Sequence, residues 1–119
     1  MKAAILVLTL FMVSLFVSAQ KTPQTIVTAA FVQKFKGVEK VKWSMEEANE
    51  WEAEFELSGK ATSASFDLSG KWLDTETNIE KSDIPVTVKI AIEKQYAGAK
   101  MGESSWIETP DFKGYEIAI

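Results

Sequence analysis

The chain contains no cysteine, no histidine and no arginine. Without cysteine there is no thiol nucleophile, no disulfide and no thiolate metal site. Without histidine there is neither a Ser-His-Asp triad nor a zinc site of the usual imidazole type. Stability has to come from packing alone. Proline (3) and glycine (6) are also scarce, so each one is informative as a boundary. The sequence has a single long apolar run, at its start. The formal net charge is −4 over 119 residues, a sign that disfavours nucleic acid and anionic membrane surfaces as partners.

Residues 1–19 read as a secretory signal peptide. Lys2 supplies the basic start, Ala3 to Val17 the apolar stretch, and Val17-Ser18-Ala19 a small-residue cleavage site, cut after Ala19. The apolar run is short for a transmembrane anchor, and no cysteine follows it to carry a lipid. Cleavage leaves no stable membrane anchor. The mature chain is then a single periplasmic or secreted domain, residues 20–119, in which the 13 lysines less Lys2 face 17 acidic residues. An exported chain without cysteine suits a bacterial periplasm.

Trp51 to Leu57 alternates without a break, with Trp51, Ala53, Phe55 and Leu57 on one side and Glu52, Glu54 and Glu56 on the other. That period is a strand's, with one apolar and one carboxylate face. Ser58-Gly59 reads as a two-residue hairpin loop. It pairs Phe55 with Thr62, Ala53 with Ala64 and Trp51 with Phe66, a register that a one-residue slip would destroy. A second turn, Ser69-Gly70, pairs Leu68 with Lys71, Phe66 with Leu73 and Ala64 with Thr75. Upstream, a loop at Glu47-Ala48-Asn49 places Trp43 beside Ala53, Lys42 opposite Glu54 and Lys40 opposite Glu56. Apolar and charge matching therefore give the same four antiparallel strands.

Helical spacing flanks this meander. Thr22 to Phe35 reads as an amphipathic helix capped by Thr22, with Pro23 in its first turn and Ile26, Val27, Ala30, Phe31 and Phe35 as its stripe. Ser82 to Ala97 reads as a second helix, capped by Ser82 or Asp83 and stopped by Gly98. Phe35-Lys36-Gly37-Val38 reappears as Tyr96-Ala97-Gly98-Ala99. The fold class expected is thus α+β: a helix packed on an antiparallel β-meander, a helix-plus-strands unit repeated with the second copy incomplete. Repeat one spans about 22–80 and partial repeat two about 82–119, with strands around Lys100 to Glu108 and Tyr115 to Ile119. The short second copy reads as native or as the mark of a longer protein.

Taken together, the export signal, Phe35-Lys36-Gly37, Val41-Lys42-Trp43, Trp51-Glu52-Ala53-Glu54-Phe55, Phe66-Asp67-Leu68-Ser69-Gly70-Lys71-Trp72-Leu73 and Ile84-Pro85 resemble the PepSY-like family of β-lactamase-inhibitor-like proteins. The resemblance covers nearly the whole mature chain. It implies a helix on an antiparallel sheet, repeated, in an exported bacterial protein. It brings no enzyme activity, cofactor or partner with it.

The strand pattern leaves a polar sheet face opposite the helices. Trp72, paired with Asp67 across the Ser69-Gly70 turn, falls on that face and is the candidate anchor for a protein partner. Asp74, Glu54 and Lys42 form its polar surround. The expected function is a non-enzymatic, inhibitor-like module binding an exported protein whose identity the sequence leaves open. The alternative is a small apolar ligand held between helices and sheet by Phe31, Phe35 and Trp51. Trp43 and Trp51 read as core, and Trp106 cannot be assigned to a face. The acidic rows read as a solvated surface in preference to paired catalytic carboxylates. No stretch has the acid spacing and glycine of a calcium loop, so neither metal nor cofactor is expected.

Overall fold

The structure, a computed structural model, describes residues 22–119. The signal-peptide reading falls on residues outside that range. Helix α1 (Thr25–Lys34) is followed by strands β1 (Lys42–Glu47), β2 (Glu50–Leu57), β3 (Lys60–Asp67) and β4 (Trp72–Ile79). A 3-10 turn (Lys81–Asp83) leads into α2 (Val86–Gln95), and β5 (Ser104–Glu108) and β6 (Lys113–Ile117) complete one six-stranded antiparallel sheet in the order β1-β2-β3-β4-β5-β6. The fold class is α+β, as the periodicities require.

The β2–β3 register is the one that apolar matching dictates: Phe55 faces Thr62, Ala53 faces Ala64 and Trp51 faces Phe66. The turn residues Ser58 and Gly59 take φ of 52° and 77°, the left-handed pair of a tight hairpin turn. Lys42 faces Glu54 and Trp43 faces Ala53. The loop between β1 and β2 is shorter than expected, however. A bulge between Met45 and Glu47 absorbs Glu46, Glu47 pairs with Glu50, and β1 begins after Lys40.

The turn between β3 and β4 differs from the two-residue Ser69-Gly70 turn expected from the sequence. The Asp67 carboxylate Oδ1 accepts the backbone N–H of Ser69 and of Lys71, both at 2.9 Å, and the Ser69 hydroxyl. Asp67 N–H in turn donates to the Lys71 carbonyl at 2.9 Å. The loop is therefore Leu68-Ser69-Gly70, three residues instead of two. Phe66 consequently pairs with Trp72, and a bulge at Leu73 restores the Ala64 to Thr75 pairing. That single extra loop residue turns Trp72 over to the helix side.

The core lies between α1 and β1–β4. Val27, Phe31, Phe35, Trp51, Ala53, Phe55, Ala64 and Phe66 are buried together, with Trp43, Leu57 and Trp72 packed against them. Phe31 is the hub: its ring centre lies 4.9 Å from that of Phe55, 5.2 Å from Phe35 and 5.4 Å from Trp43, the Phe55 and Trp43 rings meeting it edge to face. Full burial of Phe31, Trp51 and Phe66 contributes about 2 kcal/mol each.

Both helices start later than their expected caps. Gln24 precedes α1 and Pro85 precedes α2, neither with a side-chain cap bond. Asp83 caps the 3-10 turn instead, its Oδ2 accepting the Glu80 N–H and the Lys60 ammonium, each at 2.9 Å. Ile26 is exposed despite its place in the α1 stripe. No residue of α2 is buried, whereas Ile84 just before it is. The last two strands begin at Ser104 and Lys113, later and earlier respectively than the spacing suggests.

Candidate functional site

Because β2 alternates strictly, its glutamates project from the sheet face opposite α1. The pairings extend that face into cross-strand rows. One row is Ser44, Glu52, Ser65 and Asp74. The next is Lys42, Glu54, Ser63, Glu76, Ile107 and Gly114, and a third is Asn78, Ser105 and Glu116. Three of the four expected binding residues, Lys42, Glu54 and Asp74, are thus brought onto this open face in neighbouring rows. Lys42 Nζ stands 3.9 Å from Glu54, with both side chains largely solvated, so this pair adds little to stability.

Trp72 is not with them. It is half-buried on the helix side, its Nε1–H donates to Thr75 Oγ1 at 2.9 Å, and the Lys34 ammonium stands 3.6 Å above its ring. The three-residue loop and the Leu73 bulge are the physical reason, and Trp72 therefore cannot anchor a partner on the same face as Glu54. Phe112 takes that place in the geometry. Phe112 is 57% exposed, and its ring lies against Gly114, where an added Cβ would come within 3.0 Å of two ring carbons. A glycine in a strand next to an aromatic two residues away leaves a bare backbone patch for the ring to cover. That spacing, Phe112-x-Gly114, is the signal in the sequence that points to it.

The electrostatics of the open face centre on Glu52. Burial pushes its carboxyl up to about 7, and the hydrogen bond and negative charge of Glu46, then the neighbouring Glu54, add to the effect. Glu54, Ser63, Glu76 and Asn78 border a groove of about 370 Å³ beside it. Asp67, at the edge of the same face, is held below the ordinary carboxylate range by its hydrogen bonds to Ser69 and Lys71.

The alternative pocket is filled. Phe31 and Trp51 are 2% and 1% exposed and interlocked in the core, so they leave no room for a ligand. Phe35 alone reaches a groove, at the end of α1. Trp106 is on the helix side, opposite Thr77 and edge-on to Tyr115 with ring centres 4.8 Å apart. Among the described residues no cluster of three metal-ligating side chains occurs, and no helix is long and apolar enough to cross a membrane.

A helix laid on one face of a twisted antiparallel sheet, the other face open and acidic, defines a class of small α+β modules that expose a sheet. Known structures share that architecture. The chain is similar to a DUF2874 family protein of Bacteroides ovatus, with 23% identity and a TM-score of 0.74, covering 81% of this chain and 70% of that one. A DUF2874 family protein of Bacteroides uniformis matches at 21% identity and TM-score 0.71, over 82% and 74% of the two chains. A BLIP-like protein of Bacteroides fragilis matches at 19% identity and TM-score 0.73, over 81% and 70%. A neighbour from Bacteroides eggerthii is described provisionally as periplasmic. No family model and no curated protein matches the chain. At these identities the likeness concerns the fold.

Proposed function

We propose that the protein is an exported, non-enzymatic binding module of the PepSY-like, β-lactamase-inhibitor-like kind, which uses its open sheet face to hold another exported protein. One observation carries the reading: a preformed sheet face away from α1 bears rows of carboxylates with an exposed aromatic, Phe112, at one side. A rigid sheet loses little entropy on binding, an exposed aromatic is a common interface anchor, and the carboxylates beside it suit the polar rim of an interface. The acidity selects a partner surface rich in lysine or arginine. The periplasmic and BLIP-like neighbours support this reading at the level of fold.

The test is capture from a periplasmic extract with wild-type bait beside a Glu54→Lys/Glu76→Lys bait and a Trp72→Ala bait, each checked for native circular dichroism. Capture abolished by the charge reversals, weakened by salt and retained by Trp72→Ala supports the open face. Retention by the charge-reversed bait, or loss only with Trp72→Ala, overturns it.

A further inference from the structure

The helix side of the sheet holds a second concavity that the open-face reading does not use. Where α1 ends, Lys34, Phe35 and Lys36 overhang β4 and β5 and enclose, with Leu57, a groove of about 370 Å³ floored by Thr75, Thr77, Trp106 and Glu108. The floor arises from two cross-strand rows. Ala53-Ala64-Thr75-Glu108 and Phe55-Thr62-Thr77-Trp106 both run from apolar residues under α1 to polar and aromatic ones beyond it.

The charges in this groove are arranged unequally. The Glu108 carboxylate already accepts the Trp106 indole N–H at 2.9 Å. The Lys34 ammonium is positioned at the rim by the Trp72 ring, and that ring is itself fixed by its bond to Thr75. The ion pairs among the described residues are Lys42 with Glu54 and Lys60 with Asp83, so Lys34 and Lys36 stand at the rim without carboxylate partners. Two lysines against the one Glu108 carboxylate leave the groove lining with a net positive charge, in a protein of net negative charge, and Phe35, Leu57 and Trp106 give it an apolar wall.

The geometry points to a binding site for a small amphipathic monoanion, a carboxylate on a planar apolar body. The carboxylate would take Lys36 and Lys34 as charge-assisted donors, and the planar body would lie along Phe35 and Trp106. This site is on the opposite side of the sheet from the proposed protein-binding face, so the two readings stand or fall separately.

The probe is 2-naphthoate, titrated into ¹⁵N-labelled protein, with 2-naphthamide and acetate as comparisons and the Trp106 indole signal identified by its disappearance in Trp106→Phe. The expected result is that naphthoate shifts the Trp106 indole and the Thr75 and Thr77 amides. The amide and acetate do not at equal concentration, and Lys36→Gln weakens naphthoate about tenfold while leaving the rest of the spectrum unchanged. The inference is overturned if those signals stay still, if naphthamide shifts them equally, if the shifts fall on open-face or core amides, or if Lys36→Gln binds as the wild type does.

Discussion

Glu52 shows how one side chain can report on a whole surface. Its alternation with Trp51 and Ala53 makes its outward position legible from the sequence, but its perturbed acidity is not. That depends first on burial and then on Glu46, which the bulge in β1 leaves beside it. The carboxyl, ordinarily at 4.5, is raised to about 7 in the folded protein, so between those values the native state binds the extra proton. Its contribution is full below about pH 4.5 and is lost as pH rises through 7. The full shift would amount to roughly 3 kcal/mol, which solvent screening at an open site reduces to roughly 1 kcal/mol. Glu52→Gln, a mimic of the protonated form, is therefore expected to stabilise the protein by roughly 1 kcal/mol at pH 8 and to be near neutral at pH 4.5. Urea unfolding at the two pH values measures this, and an equal effect at both would show that the charge is not responsible. Asp67 and Asp83 act in the opposite sense. Both are lowered, Asp67 first by Ser69 and Asp83 first by Lys60, so the stability they add is present above 3.8 and is lost as pH falls through their folded values.

Turns decide where the strands point, and the two hairpins that looked alike in sequence differ. Leu57-Ser58-Gly59-Lys60 and Leu68-Ser69-Gly70-Lys71 are the same tetrapeptide, yet the first closes in two residues and the second in three. The difference is Asp67, whose carboxylate replaces a ladder pairing by bonds into the loop, where the first hairpin has Glu56 in the equivalent place. Apolar alternation fixed the registers of β2 with β3 and of β1 with β2 near Trp43, but it could not weigh a side-chain hydrogen bond, and so Trp72 was expected on the wrong face. The glycines separate the two turns in a measurable way. Gly59, at φ +77°, has nothing near its missing Cβ, so Gly59→Ala costs only the left-handed conformation, about 1 kcal/mol. At Gly70, with φ +85°, a Cβ would stand 2.7 Å from the Ile26 carbonyl oxygen of α1. Helix and turn would then have to separate, so Gly70→Ala is expected to cost at least about 1 kcal/mol more. Chemical denaturation of both variants is the check, and equal losses would mean that α1 does not press on the turn as described.

Across the molecule, the repeated helix-and-strand pattern was legible because it rests on spacing, whereas the inequality of the two units was not, because it rests on what each helix buries. In the first unit α1 closes a core of eight buried residues over four strands. In the second, α2 buries none of its ten residues, Val86 and Ile90 are 67% and 59% exposed, and β5 and β6 hold their place through the ladder and the Trp106–Tyr115 contact. Local stability follows buried apolar contact. Native-state hydrogen exchange should therefore grade along the sheet, slowest for Trp51 to Leu57 and Thr62 to Phe66, and faster by roughly a hundredfold in α2 and β6, a gap of about 3 kcal/mol. Uniform protection across both units would mean that the sheet unfolds as a single cooperative body and that the first unit's core stabilises β6 as strongly as β2. A graded profile would instead leave Glu52 and Glu54 of β2, with Ser65 and Ser63 of β3 opposite them, on the most rigid part of the molecule, where the proposed binding face gains most from a preformed backbone.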